Sequence, residues 1–379
     1  MKNKYCTYLC YAIMGLYAVS ITIISPLLTY ISNSFSVTIT QAGLIFSTNF
    51  LGFVIFIFVG GALADICGKK KILLIALIGF SFALLALPLS PNFFILCVIS
   101  GFVGGFGGIM ESLVSSIIFE INPKNSTFHV NAAQVFFGLG ALIGPVGAGI
   151  IVASGANWRL CYYITVAISL TTAFLFSKVS LPMSSKSSTV NLGELKRIFG
   201  DKKLMLICLC MAFYTGSEVG GWGWMSTFLK QGLMFSIIKS SVAVGVFWIA
   251  MSIGRIFCGR LILKYKTRNI MIILGFSSSI VTALSGLVSF EIAAWIIIIL
   301  MGITYSSQWP LILDYGGKQS KTSSGMVFSV LVGFGGIGST TVPYLMGLTS
   351  QFTNIHFAMA SPAVLLLLVG LIFLFMKKT

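Results

Sequence analysis

Two carboxylates stand inside long apolar stretches of this sequence, at Glu111 and Glu218. A charge at the centre of a bilayer costs about 2.5–3.5 kcal/mol or more, so an acid retained there needs either a function or a polar partner. A carboxylate in such surroundings can exchange a proton or bind a hard cation together with nearby oxygen atoms. Ser112 and Ser115 follow Glu111 closely and could supply those oxygen atoms. We therefore predict a titratable or cation-binding site at Glu111, with a structural polar contact as the alternative, and weigh both roles equally for Glu218.

The composition of the chain predicts that membrane-spanning helices hold these acids. Of the 379 residues, 57% are hydrophobic and 8% are charged, against roughly 25% charged in an ordinary soluble domain. So few charges suit a surface that faces lipid, and a membrane-spanning helix needs about 20 apolar residues. Runs of that length predict an all-α polytopic membrane protein with twelve transmembrane helices, near residues 7–32, 41–64, 72–90, 93–120, 130–153, 159–180, 204–229, 240–262, 269–289, 292–313, 324–349 and 358–376.

The positive charges predict the orientation of the chain. A net charge of +16 would favour a nucleic-acid partner in a soluble protein. Here nearly all lysines and arginines fall in loops on one side of the predicted spans, and the other side keeps only Arg159, Lys230 and Lys239. Cationic residues concentrate in cytoplasmic loops. We therefore predict a multi-pass protein of the cytoplasmic (inner) membrane, with both termini in the cytoplasm and no nucleic-acid partner.

A polar stretch divides the predicted spans into six and six. It covers residues 181–203 and includes the run SSKSS at 184–188. This division predicts a first six-helix bundle over 1–180, a cytoplasmic linker over 181–203 and a second six-helix bundle over 204–379. Transporters built from two such halves bind solute near the bilayer midplane.

The loop between the second and third spans reads GALADICGKKK at 61–71. It resembles the signature G-x-L-A-D-x-x-G-R/K-R/K of the major facilitator superfamily, in residues and in spacing. A degraded copy, GRIFCGRLILK at 254–264, follows the eighth span, and Leu263 replaces its acid. The resemblance implies the major facilitator fold, with two six-helix bundles that move during transport.

The same resemblance implies a cytoplasmic gate, in which acids that end the fourth and tenth spans pair with loop cations. Exposed ion pairs worth under about 1 kcal/mol are the alternative. The predicted gate residues are Gly61, Asp65, Gly68, Lys69, Lys70, Glu120, Arg255, Arg260 and Asp314.

Three further segments resemble the fucose permease group of sugar–cation symporters. The fourth span reads GGIMESLVS at 107–115, the fifth opens NAAQVFFGLG at 131–140, and the seventh contains YTGSEVGGW at 214–222. The likeness implies that Glu111 couples the transport of a sugar to a cation. Thr22 stands where that group has a second acid, four residues before Pro26. Proton and sodium coupling both stay open.

A sugar site needs amides and carboxylates for hydroxyl groups and aromatic faces for C–H surfaces. Buried amides are the stronger candidates, because an amide that faces lipid would be unsatisfied. Single aromatic residues in a membrane span more often serve packing or an interfacial belt. The predicted substrate-binding candidates are Asn49, Gln134, Tyr214, Glu218, Trp222, Trp224, Trp248, Gln308 and Trp309.

Other functions fit the sequence less well. The run GALIGPVGAG at 140–149 approaches the signature of drug and metabolite efflux antiporters of the same fold, which is the main alternative. A receptor or scaffold would not need midplane acids. Catalytic and metal-binding motifs such as HExxH, GxSxG and the P-loop do not occur in the sequence. We expect a monomeric transporter, not an enzyme, without cofactor or metal, whose partners are a small-molecule substrate, a coupling proton or sodium ion and the lipid bilayer.

Overall fold

A computed structural model describes residues 2–122, 126–179, 198–262, 264–319 and 324–376. Across these ranges the regular structure is helical and no strand occurs. Twelve helical stretches are long and apolar enough to cross a membrane, from Lys4–Thr22 to Ile355–Phe375. The predicted fold class and number of spans are confirmed.

The chain packs as two units, Met1–Thr38 with Leu44–Ser188, and Ile39–Gly43 with Thr189–Thr379. Most of the predicted linker, residues 181–197, lies outside the described residues. The helices of unit 1 are α1 Lys2–Thr22, α2 Ile24–Ser34, α4 Leu44–Cys67, α5 Lys69–Ala86, α6 Phe93–Ile121, α7 Ser126–Ala153 and α8 Arg159–Ser177. The helices of unit 2 are α3 Ile39–Ala42, α9 Lys202–Leu233, α10 Ile237–Leu261, α11 Thr267–Ser285, α12 Glu291–Tyr305, α13 Gln308–Gln319, α14 Ser324–Phe352, α15 Ile355–Ala360 and α16 Ala363–Phe375.

Two spans are interrupted shortly before a proline. The first span breaks at Ile23, ahead of Pro26, and the tenth breaks at Ser306–Ser307, ahead of Pro310. Proline has no backbone N–H, so it cannot donate to the carbonyl four residues earlier. Such a carbonyl is tolerated inside a membrane only where protein groups satisfy it. The break in the tenth span therefore needs donors from neighbouring helices.

Close packing of α4 against α6 depends on glycine. A Cβ atom added at Gly104 would overlap the backbone carbonyl of Asn49. Small residues let two membrane helices approach until their backbones touch, where van der Waals packing replaces the hydrophobic effect as the driving force. This contact fixes the position of α6, the helix that carries Glu111.

The signature loop forms a tight turn between α4 and α5. Gly68 has a φ of 91°, a conformation that favours glycine over residues with a side chain. The turn starts α5 at Lys69, whose ammonium group donates to the Ser116 hydroxyl at 2.6 Å and pairs with Glu120. The loop thereby ties the start of α5 to the end of α6.

Candidate functional site

Glu111 lies on α6 and is partly buried within unit 1. Its carboxylate interacts electrostatically with the hydroxyl of Tyr17 on α1, a residue that is 2% exposed. Gly107 makes room for this neighbour, because a Cβ atom at that position would overlap the Tyr17 ring. Gly107 and Glu111 are one turn apart, so the acid lies on the face of α6 that meets the Tyr17 ring.

The hydroxyl groups near Glu111 have other acceptors in this arrangement. Ser115 donates to the backbone carbonyl of Glu111 at 3.0 Å, one helical turn earlier. Thr22, at the position where the fucose permease group has an acid, donates to the carbonyl of Ala18 at 2.8 Å. Both hydroxyl oxygens keep lone pairs, so they can still accept a hydrogen bond. Among the described side chains of unit 1, Glu111 is the acid that lies well inside a span.

Glu218 belongs to a polar cluster in unit 2. Its carboxylate lies beside the Tyr214 hydroxyl, one turn earlier on α9, and interacts electrostatically with Arg255 on α10. Tyr214 is fully buried and donates to the carbonyl of Tyr305 at 2.9 Å. The Tyr305 hydroxyl in turn lies 2.8 Å from the hydroxyl of Thr282 on α11. The cluster joins four helices of this unit.

The sequence placed Arg255 among the cations of the predicted gate, but in the structure it lies within α10 and not in a loop. It lies six residues before the end of α10, about 9 Å at a rise of 1.5 Å per residue. Its Nε donates to the Ser306 carbonyl at 2.8 Å. Because Pro310 cannot donate to that carbonyl, the guanidinium supplies the missing donor at the break in the tenth span.

The two predicted amides are both deeply buried. Asn49 is 2% exposed and donates to the Ser100 carbonyl at 3.1 Å; Gln308 is fully buried and donates to the Ser278 hydroxyl at 3.0 Å. In both side chains the carbonyl oxygen is buried with no hydrogen-bond partner among the described residues. Each therefore keeps one acceptor available. Gln134 is partly buried on α7, in unit 1.

The four predicted tryptophans have different surroundings within unit 2. Trp222 and Trp248 pack together with ring centroids 6.1 Å apart, and Trp248 also contacts Phe247, which packs on Tyr305 of the Glu218 cluster. Trp224 donates from its indole nitrogen to the Pro343 carbonyl at 3.0 Å. Trp309 lies against Gly335 of α14. Trp222 and Trp248 thus pack toward the Glu218 cluster, whereas Trp224 satisfies a backbone carbonyl elsewhere in the unit.

The predicted gate residues form different contacts in the two units. Glu120 pairs with Lys69, as the resemblance implied for an acid and a loop cation. Asp314 pairs instead with Lys318 of its own helix at 2.6 Å. The side chain of Asp65 lies outside the described residues, Gly61 has open space around it, and Arg260 is exposed. Lys70 is partly exposed.

Sequence reasoning missed Tyr17, Thr282 and Tyr305, because single hydroxyl-bearing residues in apolar spans do not differ in pattern from packing residues. One sequence signal could have indicated Tyr305: it lies five residues before Pro310, where a helix break leaves backbone carbonyls without donors. No cluster of three or more His, Cys, Asp or Glu residues that could hold a metal occurs in the described ranges.

Two units and twelve helical stretches long and apolar enough to cross a membrane define a polytopic membrane protein. Residues 10–324 match the family model described as Major Facilitator Superfamily. The chain belongs to this superfamily, whose members are membrane transporters.

Similar proteins include a "Protein TsgA homolog" of Buchnera aphidicola subsp. Schizaphis graminum (strain Sg), 23% identical over 347 residues that cover 89% of this chain and 86% of that protein. A hexuronate transporter of Bacillus subtilis (strain 168) is 23% identical over 355 residues, covering 86% of this chain and 83% of its own. The crystal structure of a variant of the E. coli fucose:proton symporter FucP superposes with a TM-score of 0.70 at 20% identity, covering 100% of both chains. At this identity the structural likeness shows the fold alone.

Proposed function

We propose that this protein takes up a small polar solute, a sugar or sugar-like compound, by alternating access in symport with a proton or a sodium ion. The observation that carries the proposal is Glu111, an acid held inside a membrane span beside the buried hydroxyl of Tyr17. An acid kept at such a depth despite its cost is a functional hypothesis by default.

The chemistry of the solute follows from the groups available to bind it. Asn49 and Gln308 each keep a buried carbonyl oxygen, which can accept a hydrogen bond from a solute hydroxyl. Trp222 and Trp248 offer aromatic faces next to the Glu218 cluster. The names of two similar proteins, a hexuronate transporter and a fucose:proton symporter, support a polyhydroxylated solute.

The proposed setting is the cytoplasmic membrane, with both chain termini in the cytoplasm and a monomer as the working unit. The asymmetric distribution of lysine and arginine supports this orientation. It places the pair of Lys69 and Glu120 at the cytoplasmic end of unit 1, where the signature loop would act as part of a gate.

A stabilisation screen followed by a gradient experiment tests the proposal. A solute at about 100 times its dissociation constant adds roughly 2.7 kcal/mol to the stability of the bound protein, which a thermal shift detects. Solutes that stabilise the purified protein are then offered to proteoliposomes under an inward proton gradient or an inward sodium gradient. Accumulation under one of these gradients supports symport and identifies the ion. Accumulation only under an outward-directed cation gradient would instead favour the efflux antiporter.

A further inference from the structure

Arg255 is a fixed cation inside a membrane span, and its fixation has a structural cause. Its Nε donates to the Ser306 carbonyl at 2.8 Å, and its Nη2 lies 3.3 Å from the sulfur of Met251. The Ser306 carbonyl needs this donor because Pro310 has no N–H to offer. With Nε anchored there, the guanidinium plane is held in one orientation, and the fork formed by Nη1 and Nη2 keeps N–H groups that donate to none of the described residues.

The charge of Arg255 has no close counter-ion in the described part of the chain. The ion pairs there, formed within 4.0 Å, are Lys69–Glu120, Lys239–Glu291 and Lys318–Asp314. Glu218 is near enough to interact electrostatically with Arg255 but is not among its ion-pair partners. The Met251 sulfur is a weak acceptor. A guanidinium inside a membrane span is costly without an acceptor of opposite charge. The arrangement therefore favours the reversible binding of an anion.

The groups around the guanidinium are those that would distinguish an anionic solute from a chloride ion. Glu218 is partly exposed, and its carboxyl group can accept hydrogen bonds from solute hydroxyls, which a chloride ion does not have. The Tyr214 hydroxyl already donates to the Tyr305 carbonyl at 2.9 Å, so it ties α9 to the end of α12. An arginine fork binds a carboxylate group through two parallel hydrogen bonds.

We infer that the transported solute carries a carboxylate group and that the Nη1 and Nη2 fork of Arg255 binds it. This inference rests on the proposed transport function and narrows its substrate class from sugars in general to acidic, hydroxyl-bearing compounds such as sugar acids. Arg255 then has two separate roles: Nε supports the broken tenth span, and the Nη fork recognises the solute.

The two roles can be separated by restoring the missing backbone donor. Pro310→Ala supplies an N–H for the Ser306 carbonyl, so the tenth span no longer requires Nε of Arg255. The double variant Arg255→Gln/Pro310→Ala should therefore stay folded even if Arg255→Gln alone does not. Lys264→Gln is the matched control for loss of one positive charge, because Lys264 is exposed in the loop that follows α10.

The test compares matched acidic and neutral probes by thermal shift of the purified protein at constant ionic strength. The pairs are D-glucuronate with D-glucose, D-galacturonate with D-galactose, and D-gluconate with D-glucitol. We expect at least one acid to stabilise the protein at concentrations at least about tenfold lower than its neutral partner, as a charged hydrogen bond allows. Arg255→Gln/Pro310→Ala should remove that preference, whereas Pro310→Ala and Lys264→Gln should keep it.

Each other result contradicts a defined part of the account. Equal stabilisation by acid and neutral partners, or an acid preference that survives in Arg255→Gln/Pro310→Ala, overturns the role of Arg255. If only neutral sugars bind and accumulate, the inference fails and the transport proposal stands. If acids bind through Arg255 but never accumulate under a cation gradient, the symport proposal fails and the inference stands. If no probe of either kind binds, both are wrong.

Discussion

The hydrogen bond from Tyr214 to the Tyr305 carbonyl gives a prediction about stability that has a built-in control. Tyr305 is the last residue of α12, at the break in the tenth span, and the two groups are 2.9 Å apart and fully buried. Tyr214→Phe removes the donor and leaves that carbonyl unsatisfied. A buried acceptor that loses its donor costs about 1–3 kcal/mol.

The control is Tyr162 of unit 1, which is buried to the same degree as Tyr214. Its hydroxyl has no hydrogen-bond partner among the described residues. Tyr162→Phe removes only that hydroxyl, so we expect a change in the free energy of unfolding within about 1 kcal/mol of zero, or a small stabilisation.

Thermal unfolding in detergent compares the two variants. For a unit of this size, 1 kcal/mol shifts the Tm by about 2–4 °C, so Tyr214→Phe should lower it by about 2–12 °C. Tyr162→Phe should leave the Tm nearly unchanged. If Tyr162→Phe lowers the Tm as much as Tyr214→Phe does, the loss arises from repacking of the ring, and the hydrogen-bond argument is wrong.

Two further predictions concern orientation and the signature loop. Reporter fusions at the C-terminus and within residues 230–239 should report opposite sides of the membrane, because an even number of spans and the cation asymmetry put both termini inside; the same side for both would refute this topology. Asp65→Asn should slow transport by disturbing the gate while solute affinity, measured by thermal shift, stays within a few fold, and normal turnover in this variant would show that the loop has lost its role.

Features encoded in short stretches of sequence could be predicted. The spans follow from runs of apolar residues, and the turn at Gly68 follows from a local motif. Lys69 and Glu120 are 51 residues apart, and an acid–cation pair at this place was expected only from the resemblance to a known family. Each depends on neighbours along the chain or on a recognised pattern.

Features that join distant residues could not be predicted in the same way. Arg255 and the carbonyl that Pro310 leaves without a donor belong to different helices, and no local pattern links them. Tyr17 and Glu111 likewise meet only because α1 packs on α6. Trp222 and Trp224 are two positions apart on α9, about 200° around the helix axis, so their rings point in different directions. One ring therefore reaches Trp248 and the other the Pro343 carbonyl.

The most direct test of the central claim measures solute accumulation by the Glu111→Gln variant in proteoliposomes. Under a tenfold inward cation gradient, one-to-one symport allows about tenfold accumulation, since a tenfold ratio corresponds to 1.36 kcal/mol. Glu111→Gln keeps the shape of the side chain but removes its titratable group. It should equilibrate the solute without accumulating it, while exchange of labelled for unlabelled solute continues. Glu291→Gln, at an exposed acid that pairs with Lys239, should accumulate solute as the unmodified protein does. Accumulation by Glu111→Gln at the level of the unmodified protein would contradict the coupling role of Glu111.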